Sequence, residues 1–298
     1  LKRPLPLAFA REPVAMDAAV AAAGGEAEED ALLWPGLEVA PGPIRKGQEP
    51  VRVLAVGEGD LSFSLALKRR FGDAIQLTAT TLLQRDELLE RYRSAASVLE
   101  ELQSRGADVR HGVDACVLPG PDAAAVEDVV VFNYPHLGEA PQDGHSPGSE
   151  HVRRHRALLA HFLAAARRRL GPQGQVHVTL CGEQPELWQL RPAAVRAGLA
   201  ELQCRRPSDV LAFAAGDLAD RLPPAAGPAP AAWAARRKWR NGSLGCVHWA
   251  AQFGYEHRRH ESEQSMSTEQ SLAFVFAPAP AAAGEGAPRP PPPPGAAV

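Results

Sequence analysis

The 298-residue chain is 45% hydrophobic, enough for one large or two small domains, and no run of eighteen apolar residues suggests a membrane span. Its net charge of −3 arises wholly in residues 1–49, which hold eight acids and five bases. The remainder balances at 27 of each, which is not the strongly basic profile of an obvious nucleic-acid-binding domain. The four cysteines, Cys116, Cys181, Cys204 and Cys246, are widely spaced with no C-x-x-C pair. Neither a metal site nor a disulfide framework is expected, which fits a reducing compartment.

Residues 1–49 are rich in Ala, Gly, Pro and Glu without a period and read as a mostly disordered leader. The chain begins at Leu1 rather than methionine, as an incomplete or processed product would, and Glu12 and Asp17 break any signal-peptide layout. Residues 50–277 read as one folded domain, and residues 278–298 as a disordered Pro/Ala-rich tail. Within the domain, strands are predicted at Val51–Val56, Ile75–Thr80, Asp108–His111, Asp128–Asn133, Gln175–Leu180 and Leu272–Phe276. Helices are predicted from Asp60, over Asp86–Ser104, over His151–Leu170 with Gly171-Pro172 as its stop, and over Pro192–Leu202. This alternation gives an α/β class with a doubly wound, mainly parallel sheet, whose ligands lie beyond the C-terminal strand ends.

The first strand leads into Gly57-Glu58-Gly59-Asp60-Leu61-Ser62-Phe63. Gly57 supplies the tight turn, Gly59 a close backbone approach for a ligand, and Ser62 close helix–strand packing, while the helix N-terminus offers free N–H groups. Two carboxylates in the turn, Glu58 and Asp60, would repel a dinucleotide pyrophosphate but suit the sulfonium and ammonium of S-adenosylmethionine; they also suit a helix start. After the fourth strand, Asn133-Tyr134-Pro135-His136 offers an amide for a base edge, a Pro-fixed backbone and a titratable ring. Asp114, beyond the third strand, is placed for an adenine amino group or an ordinary loop cap. Basic residues cluster at Arg153-Arg154-Arg156, Arg167–Arg169, Arg236–Arg240 and His257–His260. The third cluster is interleaved with Trp233 and Trp239, as RNA binding or a solvated surface would allow.

The segments VGEGDLSFSLAL (56–67), LTAT (77–80), GVDA (112–115), VVFNYPHLG (130–138), HVTLCGEQPELWQL (177–190) and GYEHRR (254–259) occur in this order. Over about residues 51–277 the chain thereby resembles the 25S ribosomal RNA uridine-N3-methyltransferase family, some of whose vertebrate members are fused to a ferredoxin-fold anticodon-binding domain. That extra domain is not expected here. The resemblance implies a Rossmann-like class I methyltransferase fold, S-adenosylmethionine as cofactor, and ribosomal RNA or a pre-ribosomal particle as partner, in the nucleolus or cytoplasm. It implies Gly57, Glu58, Gly59, Asp60, Ser62, Phe63, Thr80 and Asp114 on the cofactor, and Asn133 and His136 at the acceptor uridine. His136 is the candidate base, and Tyr134 or Phe63 a stacking platform. Leu83 stands where the family commonly has an acid for the ribose hydroxyls, with Asp86 or Glu87 as substitutes one turn on. His155 stands where an Asn is usual, and His260 where a Thr is expected. The alternative is a non-catalytic RNA-binding or ribosome-assembly module of the same fold; a nicotinamide oxidoreductase is disfavoured by the acidic turn.

Overall fold

The computed structural model describes residues 31–32, 44–45, 49–118, 126–138, 148–205, 250, 253–255, 257 and 270–280. The expectations for the tail beyond 280 and for the Arg236–Arg240 cluster lie outside these residues. Within the predicted leader, β1 (Ala31–Leu32) and β2 (Ile44–Arg45) form a two-stranded antiparallel ladder.

Val51–Ala55 (β3) is the third strand across a seven-stranded sheet. It is followed by α1 (Ser62–Phe71), β4 (Ile75–Thr80), α2 (Arg85–Arg91), α3 (Ala95–Ser104) and β5 (Asp108–Arg110). Next come β6 (Glu127–Asn133), α4 (Glu150–Arg169), β7 (Leu170–Cys181), α5 (Gln184–Leu187), α6 (Leu190–Arg196), β8 (Leu199–Arg205) and β9 (Ser271–Pro278). The strand order is β5-β4-β3-β6-β7-β9-β8. All pairs from β5 to β7 are parallel, and β9 is antiparallel to both β7 and β8. This is the Rossmann-like class I methyltransferase fold that the resemblance implied.

The central strands alternate between two cores. Val53, Ala55, Val129 and Val131 face the α1–α3 layer, whereas Leu54, Val56, Val130 and Phe132 face the α4–α6 layer. An unbroken apolar run is what a strand covered on both faces requires, each such side chain contributing about 1.5–3 kcal/mol when fully buried. Among the described residues no helix is long and apolar enough to cross a membrane.

Three predicted elements differ from those observed. The Asp86–Ser104 helix is two helices, α2 and α3, parted at Tyr92, whose backbone is extended (φ −122°, ψ 117°). The break carries the Tyr92 ring into the core, where it is 2% exposed. Gly171-Pro172 does not stop α4, because the chain passes from Arg169 straight into β7. The register shifts between Glu127 and Val129, and a Cβ on Gly174 would lie 2.8 Å from the Glu127 carbonyl, so a glycine is needed at that bulge. The predicted Pro192–Leu202 helix ends at Arg196. Gly198 turns the chain at φ +73°, and Leu199 starts β8.

Candidate active site

The strand order reverses between β3 and β6, so ligands of this fold belong beside the loops that leave those two strands. Leu61 (φ 61°) lies in the first of these loops and Tyr134 (φ 51°) in the second. They are two of only three non-glycine residues with left-handed φ among those described. Each such backbone costs on the order of 1–2 kcal/mol, and such strain gathers where a fold holds a functional geometry.

The turn after β3 is closed from within. Gly57 has φ +65°, and a Cβ there would sit 2.2 Å from the Phe132 ring, so no other residue fits. The Glu58 amide donates to the Thr80 carbonyl (3.1 Å). The Thr80 hydroxyl donates to Ala55 O (3.0 Å), which makes Thr80 a buried brace between β3 and β4 rather than a side chain offered to a ligand. A Cβ on Gly59 would meet the Tyr92 hydroxyl at 2.9 Å. The space expected to admit a cofactor at Gly59 therefore holds Tyr92.

The helix N-terminus is not free, contrary to the expectation from sequence. Asp60 Oδ1 accepts from Ser62 N (3.0 Å), and Glu58 accepts from both the amide (3.1 Å) and the hydroxyl of Ser64. Both carboxylates therefore cap α1. Desolvation is the largest influence on Glu58; with neighbouring Asp60 also raising it, and opposed by the Ser64 bonds, its pKa is pushed up to about 7. A pyrophosphate meets occupied amides and negative charge at this turn, whereas a cation meets two acceptors. Ser62 packs close to the strand as expected, being 8% exposed. Phe63 is 4% exposed with its ring edge against Tyr255 (5.5 Å), so it is a core residue and not a stacking platform.

The loops from β4 and β5 complete this side. Asp114 is exposed and caps Cys116 N through Oδ1 (2.8 Å). Leu83 packs on the core, Asp86 is exposed, and Glu87 accepts from Gln84 N (2.9 Å) in a capping box. Glu87 would have to leave that cap to hold a ribose. The Gln84 side chain, not singled out from sequence, lies over Gly112: a Cβ there would meet Nε2 at 2.5 Å.

The turn after β6 is built differently. Asn133 Oδ1 accepts from the Thr179 hydroxyl (2.7 Å), and Asn133 Nδ2 is buried with no hydrogen-bond partner among the described residues. Tyr134 N donates to Thr179 O (2.8 Å), and its hydroxyl donates to Ser271 Oγ (3.0 Å). One face of the Tyr134 ring is already stacked on His257 at 3.8 Å. Burial lowers the His257 pKa to about 4, so this ring is neutral near pH 7. His257 belongs to the GYEHRR segment, which the structure thus brings to the site.

His136 Nδ1 accepts from Gly138 N (3.1 Å), which places the proton of the neutral ring on Nε2. In that state His136 is a donor and cannot take a proton without losing the Gly138 bond, which opposes the expected role as base. Its ring lies 4.8 Å from His155 and 5.4 Å from His151, and His155 stacks on Trp188 at 4.1 Å. No local motif announces this three-histidine group, whose ring nitrogens lie within 4.8 Å of one another. His155 has both nitrogens engaged, accepting from Leu137 N (3.1 Å) and bonded to His151 O (2.8 Å). Ligation by it would break one of these bonds.

A model of the family described as rRNA (uridine-N3-)-methyltransferase BTM5-like matches residues 54–208. The uncharacterized protein At4g26485 of Arabidopsis thaliana is 34% identical over 145 residues, 48% of this chain and 69% of that protein. Human ferredoxin-fold anticodon-binding domain-containing protein 1 is 38% identical over 139 residues, 45% of this chain but 20% of the human protein. Of solved structures, TrmN from Thermus thermophilus is similar at 21% identity and a TM-score of 0.38, covering 57% of this chain and 42% of that one.

Proposed function

The chain belongs to the rRNA (uridine-N3-)-methyltransferase BTM5-like family, and from that premise we propose that it transfers a methyl group from S-adenosylmethionine to N3 of a uridine in large-subunit ribosomal RNA, in the nucleolus or the cytoplasm. The observation that carries this reading is the buried Asn133 Nδ2, without a hydrogen-bond partner among the described residues, one strand away from an acidic, phosphate-repelling turn. The carboxylate acceptors of that turn fit the cofactor's cationic groups. Glu58 and Asp60 would face its cationic end, and Asp114 and Gln84 the adenosine side. Bound there, the cofactor supplies an electrophilic methyl group on a sulfonium.

The residues of the chain do the rest. Uracil N3 is a poor nucleophile while protonated, so the site must hold the flipped-out base, orient N3 and favour loss of its proton. Asn133 meets the base edge. Pro135 and the strained Tyr134 fix the backbone that presents it. His136 braces the loop through Gly138. Comparing nucleosides of ribosomal RNA by mass spectrometry from cells with and without the gene tests the reading. Loss of one 3-methyluridine is expected, and unchanged 3-methyluridine would sink it.

The second reading, a non-catalytic RNA-binding or assembly module, is favoured by Leu83 and by the engagement of Glu87 in a cap. Calorimetry with S-adenosylmethionine separates the two, since the module has no need to bind it.

A further inference from the structure

Asn133 and Thr179 stand opposite each other in the parallel β6–β7 register, 46 residues apart in sequence. An amide side chain has one accepting and one donating end, and the end that faces a ligand decides which bases it accepts. Here the Thr179 hydroxyl donates to Asn133 Oδ1 (2.7 Å). The oxygen end is thereby held toward β7, and the Nδ2 end is left without a partner among the described residues. Thr179 is itself rigid: it is 3% exposed, β-branched and in the strand ladder. Its carbonyl takes the Tyr134 amide (2.8 Å), so one residue pins both the side chain of Asn133 and the backbone that follows it.

From this geometry we infer that Thr179 is a positioning residue that holds the Asn133 amide with its donating end toward the 4-carbonyl oxygen of uracil. The inference rests on the uridine-N3 reading above and adds a specificity device to it. Uracil presents a carbonyl on each side of N3–H. Cytosine carries an amino group in place of one of them, and a donor facing that group meets a donor. The same bond has a second consequence. When N3 loses its proton to water, the electron pair stays on the ring and is shared with the flanking carbonyl oxygens. A donor at one of those oxygens stabilises the anion and makes N3–H more acidic, as donors placed where charge develops do. The site then needs no strong side-chain base, in keeping with a His136 that holds its proton on Nε2.

The experiment uses Thr179→Val, which keeps the β-branched shape and removes the hydroxyl, and Thr179→Ser, which keeps the hydroxyl. Two readouts are taken: methylation of a uridine-containing RNA as a function of pH, and binding of uridine and cytidine oligomers with S-adenosylhomocysteine present. Thr179→Val should lose about tenfold to hundredfold in turnover near pH 7, the scale of one hydrogen bond to a charged group, and regain much of it at high pH. Its preference for uridine over cytidine oligomers should shrink, because the amide is free to turn over, while Thr179→Ser stays near wild type in both. A second variant, Asn133→Asp, keeps the Thr179 bond and puts an acceptor where the donor stood, so its preference should move toward cytidine. Equal wild-type affinity for the two oligomers would overturn the inference together with the uridine reading. A wild-type uridine preference that survives both Thr179→Val and Asn133→Asp, with an unmoved pH profile, would overturn the inference and leave the reading standing.

Discussion

The two loops at the switch point of the sheet leave adjacent strands, both contain a strained residue, and yet they are finished in opposite ways. In the loop after β3 the amides that open α1 at Ser62 and Ser64 are satisfied internally. Gly57 is filled against Phe132, Gly59 lies against Tyr92, and both carboxylates cap α1. In the loop after β6 the backbone and ring of Tyr134 are tied down, but the Asn133 amide nitrogen has no partner among the described residues. A buried polar atom without a bond is costly, about 1–3 kcal/mol, and folds retain such an atom where a ligand completes it. The contrast suggests a division of labour. On the proposed reading, the first loop is a rigid electrostatic wall for the cofactor, and the second is where the acceptor base is read.

Substitutions should break that contrast unequally. The largest effect is expected at Gly57. Gly57→Ala combines a left-handed backbone with a Cβ inside the Phe132 ring, and a loss of about 3 kcal/mol or more is expected by thermal or denaturant unfolding. A wild-type midpoint would mean that the turn has room to relax.

Glu58 comes next, through the cofactor that it is proposed to face. Its pKa of about 7 in the free protein should fall when a cation binds, so affinity for S-adenosylmethionine should rise as pH increases through 7, by about tenfold between pH 6 and 8. Glu58→Gln should flatten that dependence in calorimetry. The same shift sets a stability trend. The folded protein keeps a proton on Glu58 that the unfolded chain has lost above about pH 4.5. Its contribution is therefore full below pH 4.5 and lost as pH rises to about 7. Unfolding midpoints of the ligand-free protein should fall less over that window in Glu58→Gln than in wild type.

The smallest effect sharpens the reading of Gly59. Gly59→Ala should cost about 1 kcal/mol through contact with the Tyr92 hydroxyl, and Tyr92→Phe should restore most of it in the double mutant. Full additivity of the two changes would show that the Tyr92 hydroxyl is not what limits space there.

Much of the frame was legible in the sequence because its signals are local. An apolar run ending in Gly57 and a run ending in Asn133-Tyr134-Pro135 each mark a buried strand and its exit, and both exits were expected at the ligand edge. The acidic turn was legible too, although the capping role of its carboxylates depends on the left-handed Leu61. What stayed hidden is non-local or lacks a Gly or Pro marker. The break at Tyr92 serves a core contact far along the chain, and nothing in its neighbours announces it. The end of α6 is a different case, because Gly198 was present as a stop signal and the helix does end before it. The pairing of Thr179 with Asn133, the stacking of His257 on Tyr134 and the gathering of three histidines near Trp188 all follow from strand register and layer packing, which spacing within one segment does not encode.

Asn133→Ala tests most directly whether the β6 loop reads the acceptor and the β3 loop holds the cofactor. The measurement is a pair of constants on one purified protein: the dissociation constant for S-adenosylmethionine and the turnover of a uridine-containing ribosomal RNA fragment. Unchanged cofactor affinity is expected with turnover lowered about a hundredfold, because the lost bond is made only to the base. Cofactor affinity falling in step with turnover, or turnover at the wild-type level, would contradict it.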